Sequence, residues 1–165
     1  MSSDAIAYQR PAASAIADDL WFEDFKPGRR FVTAARQVDE AEIVAFGRAY
    51  ANLPYHTDAA AAEETMYRGL IAPGYLTASI TFGLFADTGA LSVCGMGSPG
   101  IDKLRWHRPV RAGDAVHVEA EVVEVSPARE AGGRDVIRIE YAAVNQHGET
   151  VLTLSSLHFV RRRPD

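Results

Sequence analysis

The chain has 165 residues, of which 47% are apolar and 24% charged, a balance that supports one domain with a buried core and excludes a disordered chain. Its 17 basic and 22 acidic side chains give a net charge of -5. The basic residues are scattered apart from Arg161, Arg162 and Arg163, so the clustered basic face of a nucleic-acid binder is missing and the arginine run reads as a solvated end.

Residues 1–20 are rich in Ala, Ser and Asp and contain Pro11, which reads as a loosely structured N-terminal arm. Asp4, Gln9, Arg10, Asp18 and Asp19 interrupt its apolar residues. No run there reaches the length of a signal peptide or a membrane span, so the expectation is a cytoplasmic protein with no membrane association. One domain is expected over residues 21–163. Trp21, Phe22 and Phe25 form an aromatic cluster, and Lys26-Pro27-Gly28 signals a turn. Residues 30–38 have β-compatible side chains and predict a first strand.

Asp39 is a suitable N-cap, and Glu42 three residues later completes a capping-box pattern. Ile43, Phe46 and Tyr50 follow at helical spacing and predict a buried face. Leu53 and Pro54 end that helix and begin a loop carrying Tyr55, His56, Thr57 and Asp58. Thr57 or Asp58 is placed to cap a short alanine-rich helix over residues 59–64, which Arg68-Gly69 breaks. Pro73 suits the first position of the next helix. Residues 74–86 are almost wholly apolar, with Tyr75, Leu76, Ile80, Phe82, Leu84 and Phe85. A helix apolar on every side is a buried one. About fifteen residues span roughly 22 Å, too short for a membrane.

The remainder reads as strands. Residues 91–96 and 104–107 are short apolar runs. Residues 115–125 alternate, with Val116, Val118, Ala120 and Val122 on one face and His117, Glu119 and Glu121 on the other. Residues 136–144 alternate with Arg138 and Glu140 outward, and residues 151–160 form the last strand. Arg111-Ala112-Gly113-Asp114 and Asn145-Gln146-His147-Gly148 are the turns between them. The order gives an α+β domain, an antiparallel sheet curled around one long apolar helix.

Cys94 is the single cysteine, which rules out an internal disulfide and reads as a small buried hydrophobe. No His, Asp and Glu set has metal spacing, so no metal is expected. His107, His117, His147 and His158 read as structural. Gly95-Met96-Gly97 precedes no helix start, which argues against a phosphate loop.

Three ordered segments carry a resemblance. Leu53-Pro54-Tyr55-His56-Thr57-Asp58 is followed by Ala62 and then by Ile71-Ala72-Pro73-Gly74-Tyr75-Leu76-Thr77. Arg108-Pro109-Val110-Arg111-Ala112-Gly113-Asp114 and Asn145-Gln146-His147-Gly148-Glu149 come later. Together they resemble the MaoC-like acyl dehydratase and (R)-specific enoyl-CoA hydratase family of the hot-dog superfamily. The resemblance implies a single hot-dog fold, a homodimer or higher homo-oligomer, and an acyl-CoA thioester substrate, with coenzyme A entering as part of the substrate and no separate cofactor. It implies reversible hydration of a 2-enoyl-CoA. His56 then stands where the family's base stands, and backbone N–H groups near Gly74 would bind the thioester oxygen. Imidazole exchanges protons near neutral pH, and a helix start offers free N–H groups to a developing oxyanion. Pro73, Gly74, Tyr75, Tyr55 and Ser79 are the expected substrate-binding residues, Ser79 being otherwise a buried helix serine.

The chain departs from the family pattern at three places. Ala51 occupies the position of the family's catalytic Asp, Leu53 that of its Asn, and Ala72-Pro73-Gly74 replaces A-H-G. The helix over 74–86 carries no acid before Asp87, and Asp58 reads as a helix cap. Two further readings therefore stand beside the hydratase: a non-catalytic acyl-CoA-binding or accessory subunit, and an acyl-CoA thioesterase.

Overall fold

A computed structural model describes residues 18–130 and 133–164; most of the expected N-terminal arm lies outside these residues. A 3-10 turn, Phe22–Asp24, precedes strand β1 (Arg30–Val32) and strand β2 (Arg36–Gln37). Helices α1 (Glu40–Tyr50), α2 (Pro54–Thr57), α3 (Ala59–Glu63) and α4 (Gly74–Ala86) follow. Strands β3 (Gly100–Trp106), β4 (Ala115–Ser126), β5 (Asp135–Val144) and β6 (Thr150–Val160) complete the chain. The sheet is antiparallel in the order β1-β4-β5-β6-β3, with β2 paired to β4. This is the α+β hot-dog arrangement, with α4 packed against β4 and β5.

The alternation read from the sequence explains the long strands. Val116, Val118, Ala120 and Val122 are buried on β4, and Ile137, Ile139, Tyr141 and Ala143 are buried on β5. Register shifts between Val122 and Glu124, between Ala143 and Val144, and between Asp102 and Arg105 add the local twist that curls a sheet. Leu76, Ile80, Leu84 and Phe85 of α4 fill the concave side, where Phe85 meets Phe31 and Tyr141 edge-on. No helix of the described residues is long and apolar enough to cross a membrane.

Several expectations need correction. The strand over residues 30–38 is two pieces, because the Thr33 side chain intervenes: its Oγ1 accepts the Val118 N–H at 2.9 Å, in place of a ladder carbonyl. Asp39 is the N-cap of α1 but makes no side-chain cap bond, and Glu42 pairs with Arg36 instead of closing a capping box. Tyr50 is 80% exposed, since the buried face of α1 consists of Ile43 and Gly47. The loop expected around His56 is the one-turn helix α2, opened by Pro54. Residues 91–96 form no strand. They wind through successive turns after α4 and touch the sheet through a bridge from Gly95 to Val160. Helix α4 is covered on one side only, leaving Tyr75, Ser79, Phe82 and Ala86 on an open stripe; a single sheet shields one face of a helix. Pro73 is the N-cap of α4, one residue earlier than expected.

Two other expectations match the structure. Asp58 caps α3 by accepting the Ala61 N–H at 3.0 Å, and Cys94 is fully buried, its thiol pushed up to about 11 by desolvation.

Asp135, at the start of β5, is held by both Nε and Nη2 of Arg162 at 2.7 and 2.9 Å. These bonds, led by the Arg162 side chain, lower its pKa from the ordinary carboxylate value. A depressed carboxylate stabilises the fold above its unfolded pKa, and that contribution is lost as pH falls through the folded pKa. Asp135→Asn is therefore expected to be less stable than the wild type near neutral pH, with the gap closing below about pH 4. Urea unfolding across the acid range checks this.

Candidate functional site

His56 sits in the middle of α2 and is only 6% exposed. Its position rests on a close approach between helices. A Cβ on Gly47 of α1 would lie 2.9 Å from Thr57 Cγ2 and 3.0 Å from both Cβ and the carbonyl oxygen of His56. The hydrogen at Gly47 lets α1 lie directly on the His56 turn, and a larger residue would push it away. Tyr55 adds an edge-on ring at 4.4 Å from the imidazole and meets Tyr67 at 5.3 Å.

One hydrogen bond fixes the chemistry of the ring. His56 Nδ1 lies 2.7 Å from the carbonyl oxygen of Ile71. A carbonyl only accepts, so Nδ1 carries the proton and donates it. In the neutral ring Nε2 is then the unprotonated nitrogen, a lone pair available as a base. Ile71 is held in turn, its N–H donating to the Tyr55 carbonyl at 3.0 Å.

A cleft of about 360 Å³ opens here, lined by Tyr55, His56, Tyr67, Gly74, Trp106 and Arg108, with Ile71, Thr77 and Val110 among its other walls. Gly74 brings the first turn of α4 into the cleft. Pro73 provides no side-chain cap to that helix, so its first N–H groups remain free to meet an acceptor. The Trp106 indole N–H donates to the Gly74 carbonyl at 2.8 Å. A Cβ on Gly74 would lie 2.8 Å from two atoms of that indole. Trp106 thus seals against the start of α4 because residue 74 is glycine. On the opposite wall, the Arg111 guanidinium donates to the carbonyls of Tyr67 and Leu70, which holds Tyr67 at the cleft.

Of the residues expected from sequence, the cleft gathers Tyr55, His56 and Gly74. Pro73 is buried behind it and uses its carbonyl within α4. Tyr75 is 69% exposed and meets Trp106 edge-on at 5.9 Å, outside the lining. Ser79 is exposed, not buried, and donates to the Tyr75 carbonyl at 2.8 Å. Ala51 is the C-cap of α1, its N–H bonded to Gly47, and does not line the cleft. Among the described residues, no carboxylate lines it either. The sequence reading missed Tyr67, Trp106, His107 and Arg108. His107 lines the cleft and shares a 2.8 Å bond with Thr153, and Arg108 pairs with Glu149 at 3.3 Å. Their signal was adjacency: Trp106 and His107 immediately precede the Arg108-Pro109-Val110 segment. Among the described residues, no group of three or more His, Cys, Asp and Glu is arranged to hold a metal ion.

The MaoC like domain family matches residues 24–142. A solved MaoC-like dehydratase from Rhodospirillum rubrum is similar at 34% identity and a TM-score of 0.80, covering 88% of this chain and 99% of that one. An unliganded (R)-hydratase from Pseudomonas aeruginosa shares the fold at 23% identity and a TM-score of 0.70, over 88% of each chain. Protein MaoC of Klebsiella aerogenes is 34% identical over 99 residues, which is 59% of this chain and 29% of that protein. The chain thus matches under a third of that curated relative's length.

Gly74→Ala is expected to displace the indole and break its bond to the helix. That should lower stability by about 1–3 kcal/mol. Urea unfolding, with a shift in tryptophan emission of the folded protein, reads the effect.

Proposed function

The chain belongs to the MaoC-like domain family, and from that premise we propose that its cleft hydrates a 2-enoyl-CoA thioester, reversibly, with His56 moving the proton. The family includes hydratases and dehydratases; the particular thioester chemistry is the proposal. The observation that carries it is the Nδ1–H bond from His56 to Ile71, which leaves Nε2 as the basic nitrogen of a ring that lines the cleft.

In the hydration direction, Nε2 takes a proton from water as the oxygen adds to C3 of the enoyl group. The C2–C3 π electrons move toward the thioester, and the oxyanion is met by N–H groups at the start of α4. The imidazolium then returns a proton to C2, so one residue acts as both base and acid. This economy suits a cleft without a carboxylate. Tyr55 and Tyr67 supply hydroxyl groups to orient water or substrate, and Arg108 supplies positive charge for coenzyme A phosphates.

Partner coverage is part of the same proposal. The exposed Ile101 and Trp106 of edge strand β3 suit a second copy of this chain, because free strand edges are hidden in stable proteins.

Ala51 in the acid's position favours a second reading, an acyl-CoA-binding subunit without turnover. The assay is hydration of crotonyl-CoA and of longer and branched enoyl-CoAs, with free coenzyme A followed in parallel to reveal thioester cleavage. His56→Ala is expected to reduce kcat by roughly 10²–10⁴ while the protein stays folded. Absence of turnover on every enoyl-CoA by intact wild type, with activity appearing in Ala51→Asp, would establish the binder instead.

A further inference from the structure

Toward the other end of α4 lies a second hollow, about 310 Å³, which shares no lining residue with the His56 cleft. Its walls are mostly apolar: Phe82 and Ala86 of α4, Leu91 of the winding segment, and Phe159 of β6. Its volume lies at the lower end of the range for small-molecule sites. Ser92, Ser98 and one imidazole supply its polar groups. His158 is 3% exposed, and its ring stacks on Phe82, with 10° between planes and 6.1 Å between centroids.

The two nitrogens of that ring have different surroundings. Nε2 lies 2.8 Å from the Tyr141 hydroxyl. Nδ1 has no partner among the described residues, yet it is not sealed from solvent, since no fully buried side-chain polar atom of the described residues lacks a partner. With the rest of His158 buried and the residue lining the hollow, Nδ1 opens into the hollow. Which nitrogen carries the proton follows from Tyr141, which is 2% exposed. Its hydroxyl proton has Nε2 as its acceptor; an Nε2–H would leave that phenolic proton stranded in the core. The hydroxyl therefore donates to Nε2, and Nδ1 presents an N–H to the hollow. Burial pushes the His158 pKa down to about 4, so the ring is neutral at pH 7. The Nδ1–H is thus a donor with no protein acceptor among the described residues, accessible to whatever occupies the hollow.

The geometry points to His158 as a specificity-determining residue that selects acyl tails ending in an uncharged oxygen acceptor, a keto, ether or hydroxyl group that receives the Nδ1–H. The inference rests on the thioester reading of the His56 cleft. Both lie along one helix: Thr77 lines the cleft and Phe82 the hollow, five residues apart, a rise of roughly 8 Å along the axis. An acyl chain spans that distance. Among the described residues no Lys or Arg lines the hollow, so a carboxylate at the tail's end would meet no counter-charge on its walls.

The test uses the full chain and pairs of saturated medium-chain acyl-CoAs that differ only by a keto group near the tail end. Lacking the enoyl double bond, they bind without hydration. Calorimetric titration of the wild type should give about fivefold to tenfold tighter binding of the keto compound, the worth of one hydrogen bond. His158→Phe keeps a ring against Phe82 and should abolish that preference while binding acetyl-CoA as the wild type does. In the unmutated protein, the His158 Nδ1–H resonance should move with the keto compound and stay put with its plain counterpart, a readout independent of any variant's folding. Equal wild-type affinities for the pair, or a preference that survives His158→Phe, would overturn the inference and leave the thioester cleft standing. Failure of every acyl-CoA to bind would remove both.

Discussion

Burial of one face of α4 against β4 and β5 is the constraint from which the rest of the molecule follows. Leu76, Ile80, Leu84 and Phe85 need a concave apolar surface, and a sheet with Val118, Val122, Ile137 and Ile139 on one side provides it once its register shifts make it curl. The His56 cleft forms at the first turn and the His158 hollow near the last.

Around the first turn, precision comes from two glycines. Gly47 lets α1 approach the His56 turn, and Gly74 lets Trp106 approach the helix start. Each replaces what would be a Cβ with room for a functional side chain. The hydrogen bond from His56 to Ile71 then selects the tautomer, so packing and proton position are set together. The cleft is firmly held around His56: the ring is buried, Tyr55 packs edge-on against it, and Arg111 ties down the segment that carries Tyr67.

Charge is distributed differently. The outward faces of the strands carry exposed pairs such as Arg30 with Glu121 and Lys103 with Glu140, which contribute little individually. Among the described residues, the cleft lining has His56, His107 and Arg108 and no carboxylate. The cleft and the hollow thus hold their histidines in opposite ways. At His56 the Nδ1 proton is spent on the protein and the free nitrogen is a base. At His158 the Tyr141 hydroxyl occupies the accepting nitrogen and the free one is a donor.

The sequence by itself determined the three long strands β4, β5 and β6, the apolar central helix, the Asp58 cap and the family, because alternation, capping and ordered motifs are local patterns fixed by backbone periodicity. It also proposed His56 and Gly74 as site residues, and read Ala51 as standing where the family pattern has its acid. It misjudged residues 91–96, since an apolar run of that length suits a strand and a buried series of turns equally. It expected Tyr50 and the whole of α4 to be covered, because periodicity tells which residues share a face and not how much partner surface exists to hide it. Only the tertiary structure decided that Tyr67, Trp106, His107 and Arg108 join His56, that Tyr75 and Ser79 stay outside, and which nitrogen of each buried histidine is free. Those outcomes depend on contacts between residues far apart in the chain, such as Trp106 on Gly74 and Tyr141 on His158, and linear spacing carries no record of them.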